Sequence, residues 1–228
     1  MPNPLHLAVA TALVAASASS SASAAIVGFT ETFASGSANW RNSNGTQALA
    51  WFANGGPSDS AFVRSTFNLS PTTVGGFPPT VIRAHASYPS SNAAYAGNWI
   101  AEGVTGVNFW FRHSLSEAVT LTGRFANPAN SPGASTVSLT AILPNTWTLV
   151  AFDLREGSPD IISLGGSTYA GVFSNIGNMQ FGFTVPVALA GQNIDGSFDL
   201  TNFAIVPAPG AFALLAIAGL TGFSRRRR

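Results

Sequence analysis

Residues 104–113 read Val-Thr-Gly-Val-Asn-Phe-Trp-Phe-Arg-His, and this stretch decides the fold class. Two kinds of side chain alternate along it. The apolar ones on one face of an extended chain are Val107, Phe109 and Phe111. The opposite face carries Asn108, Trp110 and Arg112. Alternation with a period of two predicts a β-strand with one face on a core, as in an antiparallel sheet.

The same alternation recurs in short runs across residues 25–205, between turns rich in Gly, Pro, Asn and Ser. The predicted strands are residues 26–33, 47–53, 61–69, 80–86, 104–113, 118–125, 135–143, 146–154, 178–185 and 197–206. About ten such strands predict an all-β protein, with a two-sheet antiparallel β-sandwich. One short helix is predicted within residues 167–176, because apolar side chains recur there at helical spacing.

Composition limits the classes of partner. The chain has 228 residues, no cysteine and only 8% charged residues, so it has no disulfides and no thiol chemistry. All ten basic residues are arginines, and four of them stand at the C-terminus. Residues 25–206 hold six arginines and nine carboxylates, a formal charge of −3. A mildly acidic body with scattered charge excludes nucleic acid as a partner, because that binding needs a concentrated basic face.

The first 24 residues have the pattern of an export signal. Residues 5–16 are mostly apolar, and a Ser/Ala-rich stretch follows as far as Ala25. Ala22-Ser23-Ala24 fits the small-x-small cleavage pattern, so residues 1–24 are predicted to be a signal peptide with an N-terminal helix. A disordered Ser/Ala tail is the alternative interpretation.

The last 23 residues consist of three parts in a fixed order. First comes a proline-broken motif, made of Val206, Pro207, Ala208, Pro209 and Gly210. Residues 210–223 are then apolar or glycine except for Thr221 and predict a hydrophobic helix roughly 21 Å long, short for a bilayer core of about 30 Å. The basic end is formed by Arg225, Arg226, Arg227 and Arg228, expected on the cytoplasmic side. The alternative is a frayed C-terminal helix of a soluble protein.

This order of motif, short hydrophobic helix and arginine cluster resembles a PEP-CTERM protein-sorting signal. The usual form has Glu between the two prolines, where this chain has Ala208. The resemblance implies a Gram-negative bacterium, transient insertion in the inner membrane and recognition by an exosortase-type processing enzyme. It also implies removal of the helix and transfer of the body to the cell envelope or the outside. Three segments follow: a signal peptide (1–24), a β-sandwich domain (25–205) and a sorting signal (206–228).

The body resembles bacterial jelly-roll domains of the galactose-binding-like and carbohydrate-binding-module type. The resembling stretches are residues 26–39, 103–113, 145–154 and 196–205. Many such modules hold a structural Ca²⁺ between carboxylates near the first and last strands, and the resemblance places Glu31, Asp195 and Asp199 there. The alternative is that Asp195-Gly196 forms an ordinary hairpin turn.

Aromatic side chains are the remaining candidates for a binding surface. Tyr88, Tyr95 and Trp99 lie among small polar residues, and such rings could stack on sugar rings. The competing interpretation is that they pack the sandwich or cover its loops.

No catalytic constellation stands out. The body has two histidines, His85 and His113, and no Gly-x-Ser-x-Gly elbow for a serine nucleophile. No zinc or phosphate-loop pattern is present. The carboxylates considered for glycoside hydrolysis have no distinguishing spacing; they are Glu102, Glu117, Asp153 and Glu156.

The sequence therefore predicts an exported, non-enzymatic envelope or extracellular-matrix protein that contacts polysaccharide. One alternative is a carbohydrate-binding module with an aromatic site and structural Ca²⁺. The other is a secreted glycoside hydrolase or other hydrolase.

Overall fold

The computed structural model of the chain describes residue 25 and residues 27–208. The predicted signal peptide, the end of the sorting motif from Pro209, the hydrophobic helix and the arginine cluster lie outside the described residues. The described part forms two antiparallel sheets packed face to face, so the predicted all-β, two-sheet class is confirmed.

The described residues contain eleven strands and one short α-helix. In chain order they are β1 (Thr30–Glu31), β2 (Ala50–Phe52), β3 (Phe62–Asn68), β4 (Thr80–His85), β5 (Val104–His113), β6 (Val119–Ala126), β7 (Gly133–Ile142), β8 (Thr148–Asp153), β9 (Ile161–Ser163), α1 (Tyr169–Phe173), β10 (Asn178–Thr184) and β11 (Asp195–Pro207). Two 3₁₀ turns, Pro57–Asp59 and Ser90–Ala93, lie in the connections.

The strands divide into a six-stranded and a five-stranded sheet. The six-stranded sheet has the order β2-β3-β11-β5-β8, and β1 pairs with the far end of β11. The five-stranded sheet has the order β4-β10-β6-β7-β9. β11, the last strand, has 13 residues and lies at the centre of its sheet, where it pairs with β1, β3 and β5.

Aromatic rings fill the space between the sheets. Phe109 of β5 and Phe181 of β10 bring their ring centroids to 4.8 Å, a direct contact between the sheets. Phe125, Phe152 and Phe203 surround Phe181 at 6.0–6.3 Å. Each buried ring removes about 150–250 Å² from water, so this cluster is the main hydrophobic contribution to the fold.

Several element boundaries differ from the sequence-based expectations. The run 26–33 forms only the two-residue β1, because Phe33 adopts a φ of +55° and turns the chain inward, where its ring is buried. β9 was not predicted; its three residues pair with β7 at the edge of the sheet. The predicted helix is present as α1, and the Thr168 side chain caps it by accepting a hydrogen bond from the backbone N–H of Gly171.

Within the described part of the chain, no helix combines the length and apolar character needed to span a bilayer.

A buried carboxylate links three neighbouring strands on the outer face of the six-stranded sheet. Asp199 of β11 is 1% exposed and lies in register between Arg64 of β3 and Arg112 of β5. Its oxygens accept from Arg64 Nε at 2.6 Å and from Arg112 Nη2 at 2.7 Å. Charge-assisted bonds to both neighbours fix the register of β3, β11 and β5.

Aromatic side chains cover this charged triad. The two guanidinium groups lie 5.5 Å and 5.3 Å from the ring centroid of Phe62. Trp147 packs beneath Arg112 at 4.5 Å, and its Nε1 donates to the backbone oxygen of Gly55 in the β2–β3 connection. Phe62 is consequently only 4% exposed, so this outer face forms a small second core.

Replacement of Asp199 by alanine is predicted to destabilise the protein. A fully buried ion pair that loses one partner costs about 3–5 kcal/mol; here about 2–3 kcal/mol is expected, because both arginines stay partly solvated. Urea unfolding would measure the change. Asp195→Ala is the control, since this exposed carboxylate bonds only to the amide of the half-buried Asn68, and a change of at most about 0.5 kcal/mol is expected. Equal losses in the two variants would contradict the role of Asp199.

Candidate functional site

The outer face of the five-stranded sheet carries a row of polar side chains across all five strands. The register aligns one residue from each strand: Arg83, Gln180, Arg124, Ser135 and Ser163. These positions alternate with buried residues such as Ile82, Phe181 and Phe125, so the row faces away from the core. Strands about 4.8 Å apart make the row roughly 19 Å long.

A cleft of about 480 Å³ lies over this face, and we call it the outer groove. Its floor includes Thr122, Arg124 and Gln180. Its two edges are formed by Phe77, just before β4, and Ile162 of β9, at opposite edges of the sheet. Phe77 is fully exposed and Ile162 is 62% exposed, so both apolar side chains are free to contact a ligand.

Asn130 in the β6–β7 turn orients the polar floor of the outer groove. Its Oδ1 accepts from Gln180 Nε2 at 2.8 Å and from Asn178 Nδ2 at 3.0 Å. Its backbone oxygen accepts from Arg124 Nη2 at 2.8 Å. Asn130 has a φ of +65°, a conformation that asparagine tolerates better than most residues. The floor is therefore held in place before any ligand binds.

Gly133 makes room for the Arg124 guanidinium. A Cβ atom at Gly133 would stand 2.7 Å from Arg124 Nη2 and 2.9 Å from its Cζ. A side chain at this position would require the Arg124 guanidinium to shift away from β7.

The two histidines do not form a catalytic triad. Nδ1 of His85 accepts from the backbone N–H of Ser87 at 3.0 Å, and Nε2 lies 3.0 Å from the carbonyl oxygen of Pro128, which can only accept. His85 is thus the Nε2–H tautomer, and burial, with a smaller effect of the Arg83 charge, lowers its pKa. His113 is buried in the core, with Nε2 at 3.0 Å from the Ile142 oxygen.

The prediction that Tyr88, Tyr95 and Trp99 form a binding surface is wrong, because two of the three rings are buried. Tyr95 and Trp99 are 0% and 1% exposed; Trp99 packs on Phe125, and its Nε1 donates to the Tyr95 oxygen at 2.6 Å. A ring without an accessible face cannot stack on a sugar. Tyr88 is half-buried, and the Arg41 guanidinium already lies 4.0 Å from its ring centroid. The three rings therefore do not form a shared surface.

The carboxylates assigned to Ca²⁺ do not converge. Glu31 pairs with Phe203 on β11, eight residues and roughly 26 Å from Asp195. Asp199 lies between them and is bound by two arginines. Glu31 itself accepts the backbone N–H of Phe33 at 2.8 Å. Among the described residues, no three potential metal ligands lie close together. The prediction that Glu31, Asp195 and Asp199 hold one Ca²⁺ is therefore wrong.

The carboxylates considered for hydrolysis lie outside the outer groove, whose lining contains no Asp or Glu. Asp153 is paired with Arg155 at 2.6 Å, and this hydrogen bond lowers the pKa of its carboxyl group. A general acid needs the opposite shift. Glu102, Glu117 and Glu156 lie in connections between strands.

Sequence reasoning missed the outer groove because its members come from strands that are distant along the chain. The alternation in residues 118–125 indicates only that Thr122 and Arg124 share an outward face. That Gln180 and Ser135 stand beside Arg124 follows only from the pairing of β6 with β10 and β7.

Comparison with known proteins shows similarity at the level of the fold. No family model matches the sequence, and no curated protein matches it. An exo-β-agarase is similar with a TM-score of 0.50 and 10% identity, over 78% of this chain and 25% of that one. The CBM22-1–GH10 modules of a Clostridium thermocellum xylanase, complexed with xylohexaose, match with a TM-score of 0.44 and 11% identity, over 80% of this chain and 29% of that one.

A third similar structure is the family 11 carbohydrate-binding module of a Clostridium thermocellum cellulosomal cellulase. It matches with a TM-score of 0.43 and 13% identity, over 81% of this chain and 97% of that one. The present chain thus spans about a quarter of the agarase and xylanase chains that it resembles. At these identities the likeness concerns the β-sandwich fold alone.

Replacing Asn130 by glycine is predicted to destabilise the floor of the outer groove. Glycine keeps the positive φ, so the variant removes only the side chain that satisfies the buried amides of Asn178 and Gln180. Leaving such groups unpaired costs about 1–3 kcal/mol, measurable by urea unfolding.

The matched control is Asn145→Gly, at an exposed residue with a φ of +56°. It is expected to change stability by at most about 0.5 kcal/mol. An Asn130→Gly variant as stable as this control would show that Asn130 does not hold the floor.

Proposed function

We propose that this protein binds a polysaccharide along the outer groove and acts without catalysis, as an exported component of the cell envelope or extracellular matrix. The observation that carries the proposal is the cleft over the outer face of the five-stranded sheet, which polar side chains from all five strands line. Gln180, Arg124, Ser135 and Ser163 of the row belong to the lining, and β4 contributes Thr80 rather than Arg83. A row of roughly 19 Å suits an extended chain of several sugar units better than a compact small molecule.

The chemistry of the outer groove supports a sugar ligand. Sugar hydroxyls both donate and accept hydrogen bonds, and the Thr122 hydroxyl does the same, while Arg124 donates. Exposed Phe77 and Ile162 offer apolar contacts to the C–H faces of a sugar ring.

The absence of carboxylates from the groove lining supports binding without cleavage. Glycoside hydrolysis uses two carboxylates facing the bond that breaks, and the lining of the outer groove has none. The jelly-roll-like class expected from sequence is part of the proposal, since such sandwiches leave one sheet face open to a ligand.

Sorting by an exosortase-type enzyme is the second part of the proposal. Its support is the sequence of residues 1–24 and 206–228, together with the place where the domain ends. β11 ends at Pro207, and the Ala208 N–H still donates to the Gly103 oxygen at 2.8 Å. Val206 and Pro207, the first two residues of the motif, therefore belong to the last strand.

Binding is predicted to depend on the Thr122 hydroxyl. Thr122→Val removes one hydrogen-bonding group with little change in shape, so affinity should fall about 2- to 12-fold, the range for one net hydrogen bond. Native gels cast with hydroxyethyl cellulose, xylan, agarose or alginate would measure affinity as retardation of the band.

Thr120→Val is the matched control, because Thr120 lies two residues away on the same face of β6 and outside the groove lining. It should leave retardation unchanged. Phe77→Ala should weaken binding by a similar factor through lost apolar contact. No retardation of the wild type in any of the gels, or equal effects of the two threonine variants, would contradict binding in the outer groove.

Processing is predicted to remove both ends of the chain. Mass spectrometry of the protein purified from its native host should find an N-terminus near Ala25 and a C-terminus at or shortly after the motif of residues 206–210. A mature protein that retains Arg225, Arg226, Arg227 and Arg228 would refute the sorting proposal and leave the binding proposal intact.

A further inference from the structure

We infer that the outer groove takes an acidic polysaccharide, with carboxylates on its sugar units, and that Arg124 is the residue that recognises the carboxylate. The inference rests on the proposed function, because it specifies the class of glycan for the same groove.

Charge is divided unequally between the two sheets. Residues 25–206 have a formal charge of −3, yet the strands of the five-stranded sheet contain no Asp or Glu. The same strands contain Arg83 and Arg124, while His85, as the neutral Nε2–H tautomer, adds no charge. Four carboxylates lie on strands of the six-stranded sheet: Glu31, Asp153, Asp195 and Asp199. The other five lie in connections, so one face of an acidic domain is positively charged.

The arginines differ in what they bind. Three of the arginines in the described part of the chain form ion pairs: Arg64 and Arg112 with Asp199, and Arg155 with Asp153. Arg124 instead bonds to neutral atoms of Asn130, through Nη2 to the backbone oxygen and, at 3.5 Å, through Nε to Oδ1. Arg83 likewise donates from Nε to the neutral oxygen of Ser43. Arg124 is the one arginine in the groove lining, and these contacts do not cancel its positive charge.

Arg124 is placed to meet a ligand. It belongs to the groove lining, at the middle strand of the five, and its guanidinium rests against Gly133. A guanidinium presents five N–H donors in a planar fork that matches the two oxygens of a carboxylate. The two bonds to Asn130 use only part of that set. A neutral glycan would bind to the same amides and hydroxyls but would leave the charge of Arg124 without a partner.

The decisive experiment compares an acidic with a neutral glycan in three variants of the full domain. Alginate, which bears a carboxylate on each unit, and hydroxyethyl cellulose, which bears none, are titrated at about 20 mM and about 300 mM NaCl. Wild type should bind alginate about 10-fold more tightly at low salt, and the preference should shrink at high salt, where the Debye length falls below 10 Å. Arg124→Gln should lower alginate affinity about 10-fold or more, the size of a charge-assisted hydrogen bond, and should lower cellulose-derivative affinity by a smaller factor, so that the preference for alginate is lost.

Two variants control for net charge and geometry. Arg155→Gln removes the same charge from an exposed site outside the groove and should leave the alginate preference intact. Arg124→Lys keeps the charge without the planar fork and should restore only part of the affinity. The melting temperature of each variant shows whether it is folded, and Arg124→Lys still tests the inference if Arg124→Gln does not fold.

The outcomes separate this inference from the proposed function. Equal binding of the two glycans by wild type would overturn the acidic preference while the binding function stands. The same loss in Arg155→Gln as in Arg124→Gln would also overturn it, because net charge alone would then explain the effect. No binding to any glycan, neutral or acidic, would remove both.

Discussion

The contact between Phe109 and Phe181 is the constraint on which the rest of the structure depends. It joins the middle of the six-stranded sheet to the β4-β10-β6 side of the other, and further rings pack around it. Two sheets about 10 Å apart leave a gap that large apolar side chains fill well. Because the rings occupy the inner faces, hydrogen-bonding and charged side chains are left to the outer faces. A binding site in this protein is therefore expected on an outer face of a sheet or in the loops.

The two outer faces use their polar residues in opposite ways. On the six-stranded sheet, Arg64 and Arg112 form ion pairs with Asp199, and aromatic rings and the β2–β3 connection cover them. That arrangement serves register and stability. On the five-stranded sheet the polar row lies open, and Arg124 has only neutral partners in Asn130. The same residue type is thus structural on one face and free to bind on the other, and the difference lies in whether a carboxylate stands beside it.

Aromatic content is a weaker guide to a binding site than the position of each ring. Tyr95 and Trp99 lie among small polar residues in the sequence, which favoured a sugar-stacking surface, but both are buried. Phe77, next to Gly76 and two prolines, has no alternating pattern around it and is fully exposed at the groove. Small neighbours such as Ala94 and Ala96 allow close packing around a ring as readily as they leave it open. The composition around an aromatic residue therefore does not distinguish a buried ring from an exposed one, because small neighbours leave space near the ring in both cases.

The sequence by itself determined most of the strands, although not β9 or the bounds of β1, together with the short helix within residues 167–176, the all-β class and the acidic charge of the body. These follow from local properties: a period of two places side chains on opposite faces whatever the partner strand is. It also carries the export and sorting pattern of residues 1–24 and 206–228, which remains a sequence-based prediction. Only the tertiary structure decided which strands are neighbours, and with that the Asp199 triad, the separation of Glu31 from Asp195 and the row through Gln180 and Arg124. Strand pairing joins residues more than fifty positions apart, and its register depends on packing across the whole core rather than on any local run of residues.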